Sequence, residues 1–302
     1  MYDWQNFDAV FHTKPDQSPD QKHAEAALKH RKELGGELFF DRMWTALRLP
    51  KPTKSYPPKS NAELRATWKA ILKAQAGDEQ KLALLYYLIL DTRKQALQQT
   101  FAERSFIPQK YLVLVTGLWQ LDQCHFPQAL EYLTDPSLIP LTFSDEVLTV
   151  LLKHPKCDNA LAMAFYLTVR PPLTDSSALY AYFDLLAGTN TTEAYYFAKS
   201  HPQHKNLFEK LIAHVYTSKA SDERTSAALQ LISLSFTTEE EAWFEEALLH
   251  GEASKTPGAK DSIMARRLAY GRLVNGSDAL SRYKGSKLDG VDWETLRGIA
   301  GG

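Results

Sequence analysis

What this 302-residue sequence has little of narrows it before any motif does. Its two cysteines, Cys124 and Cys157, are no disulfide framework for a chain of this length, and both read as reduced thiols. Long apolar runs are missing: LALLYYLIL, residues 82–90, is far short of the ~20 residues that cross a bilayer, so no membrane insertion is expected. The start, MYDWQNFDAVFHTKPDQ, has no basic stretch followed by an apolar one, so no secretory signal is expected and the protein should stay inside the cell. Neither charge is in excess, with Lys+Arg 35 against Asp+Glu 36. A body-wide basic surplus is the usual footprint of phosphate recognition, so any nucleic-acid contact has to be local. The basic clusters, Lys51, Lys54 and Lys59, then Arg266 and Arg267, are small and read as solvated surface. No Gly-rich phosphate loop, Gly-x-Ser-x-Gly elbow or His-Glu-x-x-His occurs, and neither a catalytic residue nor a cofactor is expected.

What is present is helical periodicity. Residues 22–49 follow it, with an interruption at Gly35 and Gly36 and with Leu38, Met43 and Leu47 near one face. Pro50, Pro52, Pro57 and Pro58 then force extended backbone and mark residues 48–60 as a linker wrapping the surface. From Ser60 or Asn61, either of which can cap, Leu64, Trp68, Ile71 and Leu72 recur at helical spacing. The run 82–90 is apolar on every side and could pass for a strand. Its Leu and Ala content, and the charged residues that extend the register at both ends, favour a central helix. Further on, Ser144 is placed to cap a helix with Val147, Leu148, Leu151 and Leu152 on its core face, closed by Pro155. Asp175 opens another carrying Leu179, Tyr182, Phe183 and Leu186, with Gly188 at its expected left-handed end. Thr238 and Glu241 have the capping-box spacing ahead of Trp243, Phe244, Ala247 and Leu248. Segments beginning at Ala129, Ala164 and Ala194 echo one another near the ~34-residue period of helix-hairpin repeats, although helices rich in alanine and aromatics can resemble each other by chance. The expected fold is all-α, an irregular α-solenoid-like stack of antiparallel helices forming one domain over residues 22–276. Residues 1–21 form an arm, frayed or docked through Trp4, Phe7, Val10 and Phe11.

Candidate chemistry is sparse. Cys124, His125, His154 and Cys157 include a zinc-like residue set, but adjacent residues on one element seldom reach the same ion, so no metal site is expected. His23 and His30 read as a solvated stripe, and Glu239, Glu240 and Glu241 as carboxylates opposing a helix dipole.

One stretch carries a resemblance. FIPQKYLVLVTGLWQLDQCHFPQALEYLTDPSLIP, residues 106–140, places Phe106, Ile107 and Pro108 at a helix start. It continues with Tyr111, Gly117, Trp119, Leu121 and Asp122, then Ala129, Leu130, Leu133, Pro136 and Pro140. By itself this reads as structure: Pro108 suits a first turn, Tyr111, Leu114, Val115, Leu118 and Trp119 supply a buried face, and Asp122 can cap or turn the chain. The combination resembles the helical domain of the ELYS family, with weaker similarity from about Phe39 to about Leu249. The resemblance implies a non-enzymatic nucleoporin at the nuclear rim, whose partners are the outer-ring (Y complex) nucleoporins of the pore. Larger animal members add a β-propeller and AT-hooks. This chain has no Gly-Arg-Pro core, so no direct DNA binding is expected, and it looks like the compact fungal form. An adaptor of another assembly, such as a vesicle coat or RNA processing, is the alternative. The Gly-punctuated tail 277–302 carries Tyr283, Leu288, Val291, Trp293, Leu296 and Ile299. Tyr283, Trp293 and Leu296 would anchor it on a partner, or else it folds back on this chain.

Overall fold

The computed structural model describes residues 3–11, 21–50, 56–218, 221–272, 280, 283, 285 and 292–300. Of these, 74% are helical, in 17 α-helices with no strand among the described residues. Contacts group the chain into two compact units, Met1–Ala178 and Leu179–Gly302. The first holds α1 (Phe7–Phe11), α2 (Gln21–Glu33), α3 (Phe39–Ala46), α4 (Asn61–Lys73) and α5 (Asp78–Asp91). After them come α6 (Gln95–Arg104), α7 (Gln109–Asp122), α8 (Phe126–Leu133), α9 (Ser144–Lys153) and α10 (Asn159–Val169). The division falls within α11 (Ser176–Thr189). The second unit continues with α12 (Thr191–Ser200), α13 (His204–Ala213), α14 (Ser221–Ser233), α15 (Thr238–His250), α16 (Ala259–Ala269) and α17 (Trp293–Ala300).

The all-α class expected from periodicity is what forms, with neighbouring helices such as α7 and α8, α9 and α10, and α12 and α13 packed in pairs. Residues 82–90 are helix, and every one of them is buried, which is why the segment shows no polar face. Gly35 and Gly36 both adopt left-handed backbone (φ 86° and 96°), which costs a glycine little, and α2 stops just before them. At the N-terminus Phe7, Val10 and Phe11 are buried: the Phe7 ring meets Trp68 edge-on at 5.5 Å and the Arg65 guanidinium lies 4.0 Å above it. The arm is docked as far as Phe11. Pro15 and Pro19 lie outside the described residues, as do Lys51, Pro52 and Lys54. Within the described part of the Pro-rich segment Tyr56, Pro57 and Pro58 turn inward and are buried, whereas Arg48, Pro50 and Lys59 stay exposed on the surface.

Several helix ends differ from the sequence reading. The capping box of α15 is Thr237 with Glu240, one residue earlier than Thr238 with Glu241: Thr237 Oγ1 accepts the Glu240 N–H at 3.2 Å and Glu240 accepts the Thr237 N–H at 2.6 Å. Two threonines followed by three glutamates offer both registers, and the one chosen sends Glu240 inward. Gly188 does not end α11, which runs on to Thr189. The stop is set by Asn190, whose Oδ1 accepts from the Thr192 and Glu193 amides and so starts α12. Ser144 is the first residue of α9, preceded by Phe143 in the left-handed region (φ 64°).

Packing of α7 on α8 depends on Gly117. A Cβ there would sit 2.6 Å from Leu133 Cγ and 3.1 Å from Tyr132 Cβ. Gly117→Ala is therefore expected to destabilise the chain by about 1–3 kcal/mol through overpacking, despite the better helix propensity of alanine. Urea unfolding of the two proteins measures it, and an unchanged or raised midpoint would show that α8 is free to shift.

Candidate functional site around Asp122

The signature stretch converges on one buried carboxylate. Asp122 is the last residue of α7, and it caps not its own helix but α3: Oδ1 accepts the Phe39 N–H at 2.8 Å and Oδ2 the Phe40 N–H at 3.0 Å. Tyr87 of α5 donates its hydroxyl to the same Oδ2 at 2.6 Å. The capping expected of Asp122 is thus long-range, and the turn toward α8 is made instead by Cys124 in left-handed backbone (φ 58°). Burial pushes the Asp122 carboxyl up to about 7, while the Tyr87 hydroxyl and the Phe39 and Phe40 amides pull it back down.

Around this point lie groups that no local pattern announced. Arg31 of α2 forms a two-bond fork to Asp41 (2.9 and 2.8 Å) and donates to the Tyr56 carbonyl at 3.1 Å. Tyr56 stacks on Phe40 at 4.0 Å, and Phe40 meets Tyr87 edge-on at 5.1 Å. Asp91 accepts from Trp119 Nε1 at 2.8 Å and stands 2.9 Å from His23 Nε2. His23 is therefore a buried junction group, not part of a solvated stripe. The only advance signal was a set of charged residues at positions whose helical neighbours are apolar.

The remaining signature residues separate by role. Ile107 and Ala129 are buried, Gly117 sets the α7–α8 approach, and Pro108 is the N-cap of α7. Of the expected α7 core face only Val115 and Leu118 are fully buried; Tyr111, Leu114 and Trp119 are half-buried, since the last carries its indole to Asp91. Pro136 opens a short 3-10 turn at the surface. Phe106 is the exception: it is 88% exposed and held at φ 57°.

The second unit has its own buried carboxylate. Glu240, fully buried, accepts from the Tyr195 hydroxyl, with Lys199 Nζ at 3.5 Å and His204 Nε2 at 3.0 Å. Arg266, read from sequence as solvated, is buried as well. It forks onto Glu241 (both bonds 2.8 Å), donates to the Ile232 and Leu234 carbonyls, and covers the Phe236 ring at 3.6 Å. Arg267 forks onto Glu245. In the tail, Trp293 Nε1 donates to Asp261 Oδ1 at 2.7 Å and the Tyr283 hydroxyl to Oδ2 at 3.2 Å, so these two side chains fold back onto α16. Leu296 is half-buried and Ile299 exposed; Leu288, Val291 and Gly276 lie outside the described residues.

These arrangements join helices to helices: buried carboxylates and guanidiniums saturated by caps, forks and tyrosines. They define an all-α protein built as a helical stack. A model of the ELYS family, described as nuclear pore complex assembly, matches residues 37–251, and the chain belongs to that family. It is 24% identical over 240 residues to "Uncharacterized protein ely5" of Schizosaccharomyces pombe, covering 78% of this chain and 77% of that protein. It is 25% identical over 207 residues to "Protein ELYS" of Xenopus laevis, covering 66% of this chain but only 8% of the frog protein.

Asp122 generates a pH prediction. Its folded value, about 7, lies above the ordinary 3.8, so the folded state holds the proton more tightly than the unfolded chain. The stabilisation this gives is complete below pH 3.8 and is lost as pH rises through 7, on the order of a few kcal/mol at 1.36 kcal/mol per unit. Asp122→Asn, which cannot ionise, should lack that component when urea unfolding is followed from pH 4 to 8. Asp122→Ala leaves three donors orphaned and should cost about 3 kcal/mol or more.

Proposed function

We propose that this protein is a structural nucleoporin that binds the outer-ring (Y complex) scaffold of the nuclear pore and supports its assembly at the nuclear rim, without catalysis and without direct DNA binding. The observation that carries this reading is the ELYS family match across residues 37–251, which takes in the whole signature stretch. Near-equal numbers of acidic and basic residues agree with protein partners more than with a phosphate backbone.

Two places on the described surface suit partner contact. Phe106 is a signature residue that packing does not account for, exposed on a left-handed backbone that costs a non-glycine residue on the order of 1 kcal/mol. In the tail, Trp293 and Tyr283 brace the segment on Asp261, and Leu296 and Ile299, three apart on α17, offer the apolar spot.

Affinity purification of the tagged protein should recover outer-ring nucleoporins, and fluorescence should mark the nuclear rim. Phe106→Asp and a chain ending at Gly276 should each reduce recovery while keeping their helical circular dichroism. Even cytoplasmic spread with recovery of coat or RNA-processing components would replace the pore reading with the other adaptor reading.

A further inference from the structure

A second polar cluster lies on the other side of the α7 terminus, and none of the junctions above uses it. His30 and Glu33, on the last turn of α2, meet Cys124 just past α7, and ligand atoms of the three all lie within 4.8 Å of one another. Among the described residues this is the one group of three or more His, Cys, Asp or Glu side chains so placed. The residues first considered for zinc divide: Cys124 and His154 come together, whereas His125 bonds Gln120 and Cys157 faces the Asp158 carbonyl.

We propose that His30, Glu33 and Cys124 form a binding site for a borderline divalent transition cation, Zn2+ in the first instance. The donor set is one imidazole, one carboxylate and one thiolate, which suits zinc and leaves a fourth position for water. The Cys124 thiol points at Glu33, Sγ lying 4.0 Å from Oε2. With metal bonds of about 2.3 Å to sulfur and 2.1 Å to oxygen, a tetrahedral ion holds such atoms about 3.5 Å apart, so a small closure suffices. The ion takes the place of the thiol proton, which is released to solvent.

The surroundings support these roles. Nδ1 of His30 is buried with no hydrogen-bond partner, so its lone pair is not taken up by another group of the protein. Cys124 is locked in place: it occupies the left-handed position of a Schellman motif, with its N–H on the Leu121 carbonyl and the His125 N–H on the Gln120 carbonyl. Glycine is the usual residue there, so a cysteine is kept at a cost in backbone strain. His154 is a positioning residue, not a ligand. Its Nδ1 accepts the Lys156 N–H, which leaves Nε2 carrying the proton, 3.8 Å from the Cys124 sulfur. Lys156 Nζ, 3.4 Å from Glu33 Oε2 on a largely exposed side chain, is free to swing away when the ion arrives. Helix α2 has no large buried aliphatic or aromatic residue of its own, only Ala24 and Ala27 beside polar anchors, so an ion at its last turn would clasp it to α7.

The test uses the full chain, freed of metal with a chelator, and titrates Co2+ and Zn2+ with Mg2+ as control. One equivalent of Co2+ should produce a sulfur-to-metal charge-transfer band that Zn2+ displaces and Mg2+ does not. Cys124→Ser should abolish the band. Cys157→Ser should leave it intact. Glu33→Gln and His30→Ala should each weaken Zn2+ binding by more than about tenfold, since even outer contacts to a metal ligand cost that much. Circular dichroism confirms folding, and Glu33→Gln, at a partly exposed side chain, decides the matter if Cys124→Ser does not fold. Absence of the band, its survival in Cys124→Ser or its loss in Cys157→Ser overturns the site.

Discussion

The Asp122 carboxylate is the constraint on which the first unit turns. One side chain at the end of α7 accepts the two N-terminal amides of α3 and the hydroxyl of Tyr87 on α5, so three helices distant in sequence share one buried acceptor. Unmet amides at a buried helix start cost free energy comparable to lost hydrogen bonds, and the first turn of α3 is buried through Phe39, Phe40 and Asp41. Removing the carboxylate would leave that turn without partners at its most enclosed point. The aromatic cluster of Phe40, Tyr56 and Tyr87 depends on the same placement, because Phe40 and Tyr87 are two of the residues the carboxylate holds.

The polar junctions share a logic. Asp145 accepts the Leu173 and Thr174 amides ahead of α11, Glu240 closes the start of α15 while taking the Tyr195 hydroxyl, and Arg266 satisfies two carbonyls at the end of α14 as well as Glu241. Each charged group is saturated by several partners, the condition under which burying a charge is tolerated. Apolar packing among helices is forgiving of slippage, whereas a cap or a two-bond fork has one geometry. These junctions give an irregular stack of short helices a defined register.

Helix α2 shows the same device outside the family-matched region. It lies before residue 37 and is attached through Arg31 to Asp41, His23 to Asp91 and the cluster at Glu33. Its apolar burial is slight, so its position rests on electrostatics and hydrogen bonds that pH, salt or a bound cation can modulate.

The helical class, the central helix at 82–90 and the family were all legible in the residues, because 3.6-residue periodicity and the spacing of Phe106 to Pro140 are local properties of the chain; the apolar strip at Phe7 to Phe11 was visible too, but whether it frayed or docked was not. The register of the α15 cap was not, since Thr237 and Thr238 serve equally until the burial of Glu240 chooses between them. Gly188 looked like a helix end because its ability to terminate is intrinsic, but Asn190, with two amides to accept from, stops α11 one turn position later. The fates of His23, Arg31, Arg266, Asp91 and Asp122 belong to tertiary structure alone. Whether a charged side chain is solvated, forked or capping a distant helix depends on which groups the fold brings within about 3 Å of it, and a separation of 83 residues, as between Phe39 and Asp122, leaves no trace in a local pattern.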